Sequence, residues 1–341
     1  MDSMLLNIPL TFIGILLITF LIIYFLWPEA LIRFGLWYFQ QINGLQLRYA
    51  EHNGYRFCYY SRGKPGLQPS ILMLHGFLFN KYSWFFMLYF LPKDIHVICV
   101  DMPGHGGTTC LPGDSYATYD QVNRIHQFVE CTGMNRQPFH LVGISMGGMV
   151  AGVYAAHYPS EVCCLSLCCP IGLRYPKDTD IMKRVKEERK NRDNISLVPS
   201  NTQEGTEMFN VCSYHTHMIP KQIKKGIVVD LLPDNNFFRK CFLDIFNDES
   251  LYSLQENMSK IRAPTQVIWG KDDKIVDVSG ADVLAKGIPH TQVHLLEKCG
   301  HFQPTDSPRE CTQFLLDFHT FHTNNEKLAK IKNEKKLGYL M

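Results

Sequence analysis

A chain of 341 residues with 46% hydrophobic residues has enough apolar material for one large α/β domain with an insertion. Its net charge of +2 excludes a nucleic-acid partner held by bulk electrostatics. Twelve Cys without any C-x-x-C pair speak against a metal-ribbon module.

Residues 1–7 form a short leading segment. From Ile8 to Trp27 the chain runs IPLTFIGILLITFLIIYFLW without a charge, and Pro28 and Glu29 end the run. A bilayer core asks for about 20 apolar residues. A cleaved signal peptide would show a shorter apolar region, positive charge ahead of it and small residues at its end. Here Asp2 stands ahead and Tyr24, Phe25, Leu26 and Trp27 fill the end. Residues 8–28 are therefore expected to be an uncleaved single-pass signal anchor of type II. Arg33 and Arg48 follow it and no Lys or Arg precedes it, which places the following domain in the cytosol. On that topology the sequons at Asn194 and Asn257 are expected to stay unused. Residues 29–54 are expected to be a membrane-proximal linker. Two readings stay open for Trp37, Tyr38 and Phe39 within it: a helix lying among the headgroups, or one packed on the domain.

Residues 55–323 show short apolar runs alternating with helix-like segments. The runs are Ser70–Leu74, Ile95–Val100, Phe139–Gly143, Val162–Cys169, Gln266–Gly270 and Thr291–Leu296. Met146–Tyr158 and Pro308–Phe321 are two of the segments between or after them. This is the pattern of a mostly parallel sheet with helices on both faces. Cys163, Cys164, Cys168 and Cys169 crowd the fourth run, where adjacent side chains point to opposite faces. They are expected to be free core residues, suited to a reducing compartment, and no metal site is expected. From about 172 to 258 the alternation stops. That stretch is expected to be a mostly helical lid, inserted over the carboxyl ends of the strands. A Lys-rich tail, 324–341, is expected to fray.

The strongest chemical signal is Gly143-Ile144-Ser145-Met146-Gly147, a G-x-S-x-G sequence directly after an apolar strand and opening a helix. That context puts a serine nucleophile on a sharp, strained turn. A hydroxyl needs a base to take its proton, and the base needs an acid to orient it. The expected chain order is Ser, acid, His. His301 follows the last strand on a Gly-containing loop and is the expected base. His140 and His157, inside a strand and a helix, are expected to be structural, while His215 and His217 fall in the lid. The loop after the preceding strand holds the acid candidates Asp272, Asp273 and Asp277. Two backbone N–H groups are expected to form an oxyanion hole: Met146, after the nucleophile, and Phe77, after His75-Gly76. Asp101–Gly106 and His105 within it are expected to be structural.

HGF at 75–77, DMPGHG at 101–106, GISMGG at 143–148, WGKDD at 269–273 and CGH at 299–301 together resemble the esterase-lipase branch of the α/β-hydrolase fold. RIHQFVEC at 124–131, PFHLVG at 138–143, VAGVYAA at 150–156 and DVSGADVLAK at 277–286 extend this. With the apolar leader, they resemble the membrane-bound monoacylglycerol lipases of the α/β-hydrolase domain-containing protein six family. FLFNKYSWFF at 77–86 and FQPTDSP at 302–308 depart from it. The resemblance implies Ser145 as nucleophile, Asp273 as acid and His301 as base, and a monoacylglycerol as the lipid ester substrate. It also implies a membrane location, endosomal or lysosomal within the family. No metal or organic cofactor is expected. A lysophospholipase or broader ester hydrolase is the alternative enzyme, and a non-catalytic membrane interaction protein the alternative outside enzymes.

Overall fold

A computed structural model of the chain describes residues 2–66, 68–191 and 195–338, with side chains between Thr11 and Asn324. The six apolar runs form six strands: β3 (Ile71–Leu74), β4 (Val97–Val100), β5 (Phe139–Ile144), β6 (Val162–Cys168), β7 (Thr265–Gly270) and β8 (Gln292–Leu296). Two strands precede them, β1 (Gln46–His52) and β2 (Tyr55–Arg62). The sheet order is β1-β2-β4-β3-β5-β6-β7-β8. Strands β3 to β8 are mutually parallel, while β2 pairs antiparallel with both β1 and β4. The hairpin's first strand thus lies within residues 29–54, expected as linker. It reads Q-L-R-Y-A-E-H and none of its residues is buried. An edge strand with both faces open carries no apolar run to announce it.

Adjacent residues of β5 show how both faces are covered. Phe139 meets Tyr154 of the helix Met146–His157, and His140 meets Phe318 and His319 of the helix Pro308–Gly338. The period of two on a strand sends them to opposite sides. Helix Met146–His157 is apolar on every side and buried from Met146 to Ala156, as a central helix must be. Ten of the twelve Cys are buried and all are free thiols, the exposed pair being Cys110 and Cys131.

Between β6 and β7 the chain forms the helices Asp180–Asn191, Thr202–Cys212, Lys221–Leu231, Asn235–Ile245 and Ser253–Asn257. Asn257 is buried and its Nδ2 donates to the Tyr119 hydroxyl and the Ser253 carbonyl, so this sequon offers no free amide in the folded chain. Asn194, the other sequon, lies outside the described residues.

The N-terminal helix runs Asp2–Leu26, and Pro28, which has no N–H to continue the ladder, opens a second helix, Pro28–Ile42. Among the described residues no single helix is long and apolar enough to cross a membrane. Thr11–Leu26 and Pro28–Ile42, bent by 107°, reach that length and composition together. The second helix packs on the lid: Gly226 faces Pro28 and Glu29, and Arg33 pairs with Asp230 at 3.1 Å. Phe39 turns inward onto Phe86, whereas Phe34, Trp37 and Tyr38 stay exposed. At the other end, helix Pro308–Gly338 continues through the expected frayed tail as far as Gly338; residues 339–341 lie outside the described residues.

Candidate active site

Loops after β3, β5, β7 and β8 leave the carboxyl ends of parallel strands on the same edge of the sheet, which is where such folds place their ligand crevice. After β5, Ser145 takes φ 55° and ψ −118°, a conformation that costs a non-glycine residue on the order of 1–3 kcal/mol. The surroundings hold it there. Its N–H donates to the Cys168 carbonyl at 3.0 Å, and its carbonyl accepts from Met149 at 3.0 Å and Ile171 at 3.2 Å. The flanking glycines permit the turn. A Cβ on Gly147 would stand 2.3 Å from the Leu74 carbonyl oxygen, and one on Gly143 2.2 Å from the Gly147 carbonyl oxygen.

After β8, His301 is buried and its Nδ1 lies 2.8 Å from Asp273 Oδ2. The other oxygen of Asp273 accepts N–H bonds from Ile275 at 2.8 Å and Val276 at 3.0 Å. Those bonds fix the direction of the carboxylate. Of the other two acid candidates, Asp272 is exposed and Asp277 accepts from the N–H of Ser279 at 3.0 Å. Cys169, Asp273 and His301 present atoms within 4.8 Å of one another. Burial pushes the Cys169 thiol well up, and the thiol lies 3.3 Å from the His301 carbonyl as a donor. A protonated thiol beside a carboxylate and an imidazole bonded to each other makes a poor metal cradle.

After β3, the chain turns through Gly76, Phe77 and Leu78, with Leu78 at φ 67°. Phe77 lies on this turn, and Met146 is the first residue of its helix, where the N–H has no partner within the helix. His75 locks this loop. Its Nε2 accepts from the Met102 N–H at 2.8 Å, which leaves Nδ1–H to donate to the Gly76 carbonyl at 2.8 Å. Complete burial drives its pKa down to about 3, so the imidazole is neutral. Beyond the loop, Lys81 Nζ pairs with Asp101 Oδ2 at 2.6 Å, and both side chains are buried. Asp101 also accepts the N–H of Lys81 at 2.8 Å and of Gly107 at 2.9 Å. The DMPGHG turn and the divergent segment after HGF are therefore bolted together by an ion pair that neither motif announces. His105 is buried, neutral and wedged between Phe77, Phe237 and Phe238.

Ser145 and His301 line one shared cavity. Its walls are almost wholly apolar: Phe77, Leu78 and Phe79 from the loop after β3, Met182, Leu197, Met208, Ile245 and Phe246 from the lid. No Lys, Arg, Asp or Glu is among the lining residues described. His215 and His217 are also absent from that lining. His140 Nε2 lies 2.7 Å from Ser166 Oγ inside the sheet, and His157 Nε2 lies 3.2 Å from Asn257 Oδ1.

The family with the alpha/beta hydrolase fold matches residues 69–308. The protein named monoacylglycerol lipase ABHD6 of Mus musculus is 51% identical over 93% of this chain and 95% of its own length. Its namesake of Homo sapiens is 50% identical over 92% of this chain and 95% of its own. Among solved structures, a bacterial membrane phospholipase A described as a virulence factor superposes with a TM-score of 0.79. It is 25% identical and covers 95% of this chain and 100% of that one. The chain thus belongs to the alpha/beta hydrolase fold family and, within it, to the family of the ABHD6 proteins.

Proposed function

We propose that the chain is a membrane-anchored serine hydrolase that cleaves monoacylglycerol to fatty acid and glycerol. The observation that carries the reading is the meeting of a serine on a strained turn with a buried His–Asp pair at one apolar cavity. The relatives that cover nearly the whole chain carry the name of this activity.

Ser145 Oγ attacks the ester carbonyl carbon as His301 Nε2 takes its proton. Asp273 holds Nδ1–H and stabilises the imidazolium. The N–H groups of Phe77 and Met146 receive the developing oxyanion. The bond to the glycerol oxygen then breaks, and His301 returns its proton to that oxygen. Water deprotonated by His301 attacks the acyl carbon, the bond to Ser145 Oγ breaks, and His301 returns the proton to that oxygen as the fatty acid leaves.

A lysophospholipase is the second reading, favoured by the likeness to the membrane phospholipase A. The uncharged lining weighs against it: a zwitterionic headgroup brought inside would find no charged partner, and a buried unpaired charge is costly. A neutral glycerol carries no such penalty.

Residues 8–28 serve as the anchor in this reading. Phe12, Ile13, Ile15, Leu16 and Leu17 are exposed along it, and Phe34, Trp37 and Tyr38 continue an apolar surface onto the next helix. In this reading the second helix lies along the headgroups and the domain on the cytosolic side, which the bend at Pro28 and the charge rule support.

Labelling of carbonate-washed membranes with a fluorophosphonate, wild type against Ser145→Ala, tests both halves. Labelling of wild type alone, in the membrane pellet, is expected. No labelling of folded wild type would favour a non-catalytic interaction protein, and a labelled band in the wash would remove the anchor.

A further inference from the structure

The loop that carries His301 is tied to the lid by a residue outside the Ser–His–Asp set. Asp306 Oδ2 accepts the N–H of Gly300 at 2.8 Å and the N–H of Tyr214 at 2.8 Å. Its Oδ1 accepts the N–H of His215 at 3.2 Å and the hydroxyl of Ser213. One carboxylate thereby takes four donors. Three belong to the segment that leaves the lid helix Thr202–Cys212, and the fourth sits next to His301. A further bond runs beside it, from the Phe302 N–H to the Cys212 carbonyl at 2.8 Å. The two segments lie so close that a Cβ on Gly300 would stand 2.9 Å from the Cys212 carbonyl oxygen and 3.1 Å from the Tyr214 nitrogen. The glycine of the CGH sequence is therefore required by the lid strap passing over it. On the other side, the Phe302 ring meets Phe79 at 4.2 Å, and Phe79 meets Phe209 of the lid helix at 6.3 Å. Cys212 and Met208 of the same lid helix line the cavity.

We infer that Asp306 is a positioning residue that couples the lid to the base: it holds the His301 loop against the strap Ser213–His215, so the seat of the lid sets the place of the imidazole. The inference rests on the hydrolase reading above. A charged acceptor is needed because all four partners are donors, and charge-assisted bonds are the strong ones. In Asp306→Asn, one of the two oxygens becomes an amide that cannot accept, so two of the four donors lose their partner. A base displaced by a fraction of an ångström slows the chemistry without removing the substrate site.

The test uses the full chain in detergent micelles, with p-nitrophenyl butyrate hydrolysis and the rate of fluorophosphonate labelling as readouts. Asp306→Asn is expected to lower kcat and the labelling rate by roughly 10- to 100-fold, with KM little changed. Asp306→Glu, which keeps four-donor acceptance, should recover most of the loss. Ser213→Ala should cause a smaller fall, and the double variant should fall short of the product of the two single effects, since the pair shares one bond. Ile125→Ala, a cavity in the remote helix Thr118–Thr132, supplies the comparison: lower thermal stability with kcat retained. Wild-type kcat in Asp306→Asn, or an equal kcat loss in Ile125→Ala, overturns the inference. Should Asp306→Asn fail to fold, an unaltered kcat in Ser213→Ala does the same. Failure of wild type to label at all overturns the hydrolase reading, and this inference with it.

Discussion

Replacing Lys81 by Met should cost a large share of this domain's stability, and the structure sets the size. The ammonium sits 2.6 Å from Asp101, with the two side chains 6% and 0% exposed. It also lies over the rings of Tyr60 at 5.3 Å and Tyr82 at 4.9 Å. Met keeps the apolar stem and removes the charge, leaving the Asp101 carboxylate buried without its cation. Breaking one side of a buried pair costs about 3–5 kcal/mol. Asp101 keeps the N–H bonds of Lys81 and Gly107, which places the loss at the lower end, about 3 kcal/mol. With an unfolding entropy of about 2.1 cal/mol/K per residue over roughly 270 residues, that is a fall in Tm of about 5 °C. Thermal unfolding followed by circular dichroism in detergent micelles measures it. Burial pushes the Lys81 ammonium down, and Asp101 with Cys58 more than offsets this, so its pKa is raised overall. A raised pKa means the stabilisation is complete below the unfolded value of about 10.4 and fades only as pH rises through the folded one. The penalty should therefore be the same on both sides of neutrality. A loss below about 1 kcal/mol would refute the reasoning, because it would put the pair in the class of solvated surface bridges.

Asp273→Asn should leave the fold intact and lower kcat by about 10⁴-fold, the effect of losing the carboxylate that fixes the imidazole tautomer. Steady-state ester hydrolysis measures it, and a loss under tenfold would point to another acid. Acid should destabilise the fold through its buried histidines. Burial holds His75 and His105 down at about 3 and His319 at about 4, with His140 also well below its ordinary value. Unfolded imidazoles take protons near pH 6.5 and these do not, so the unfolded state binds more protons and stability falls as pH drops below about 6.5. The slope is up to about 1.4 kcal/mol per pH unit for each such histidine. Urea midpoints taken at neutral and mildly acidic pH should differ accordingly. Unchanged midpoints would mean that water reaches these rings.

Much of the site can be read from local pattern. Strands buried on both faces must be apolar along their length, so β3 to β7 announce themselves. A serine forced into a positive-φ turn needs small neighbours, so Gly143 and Gly147 mark Ser145 without any knowledge of what lies around it. The long break in the strand–helix alternation marks the lid in the same way. Other features depend on partners far apart in the chain. The hairpin edge strand β1 has no buried residue to give it a pattern. Asp272, Asp273 and Asp277 are chemically alike, and only the loop that presents Asp273 to His301, with Ile275 and Val276 behind it, separates them. The Lys81–Asp101 pair and the Asp306 clamp each join segments whose side chains are ordinary charged residues in sequence. The bend at Pro28 similarly acquires its direction from the lid helix Lys221–Leu231 beneath it. Backbone conformation and burial are local demands on residue type, and so they leave a trace in the order of the residues. Which carboxylate meets which donor is decided by where the sheet brings distant loops together, and any Asp in the right place would serve.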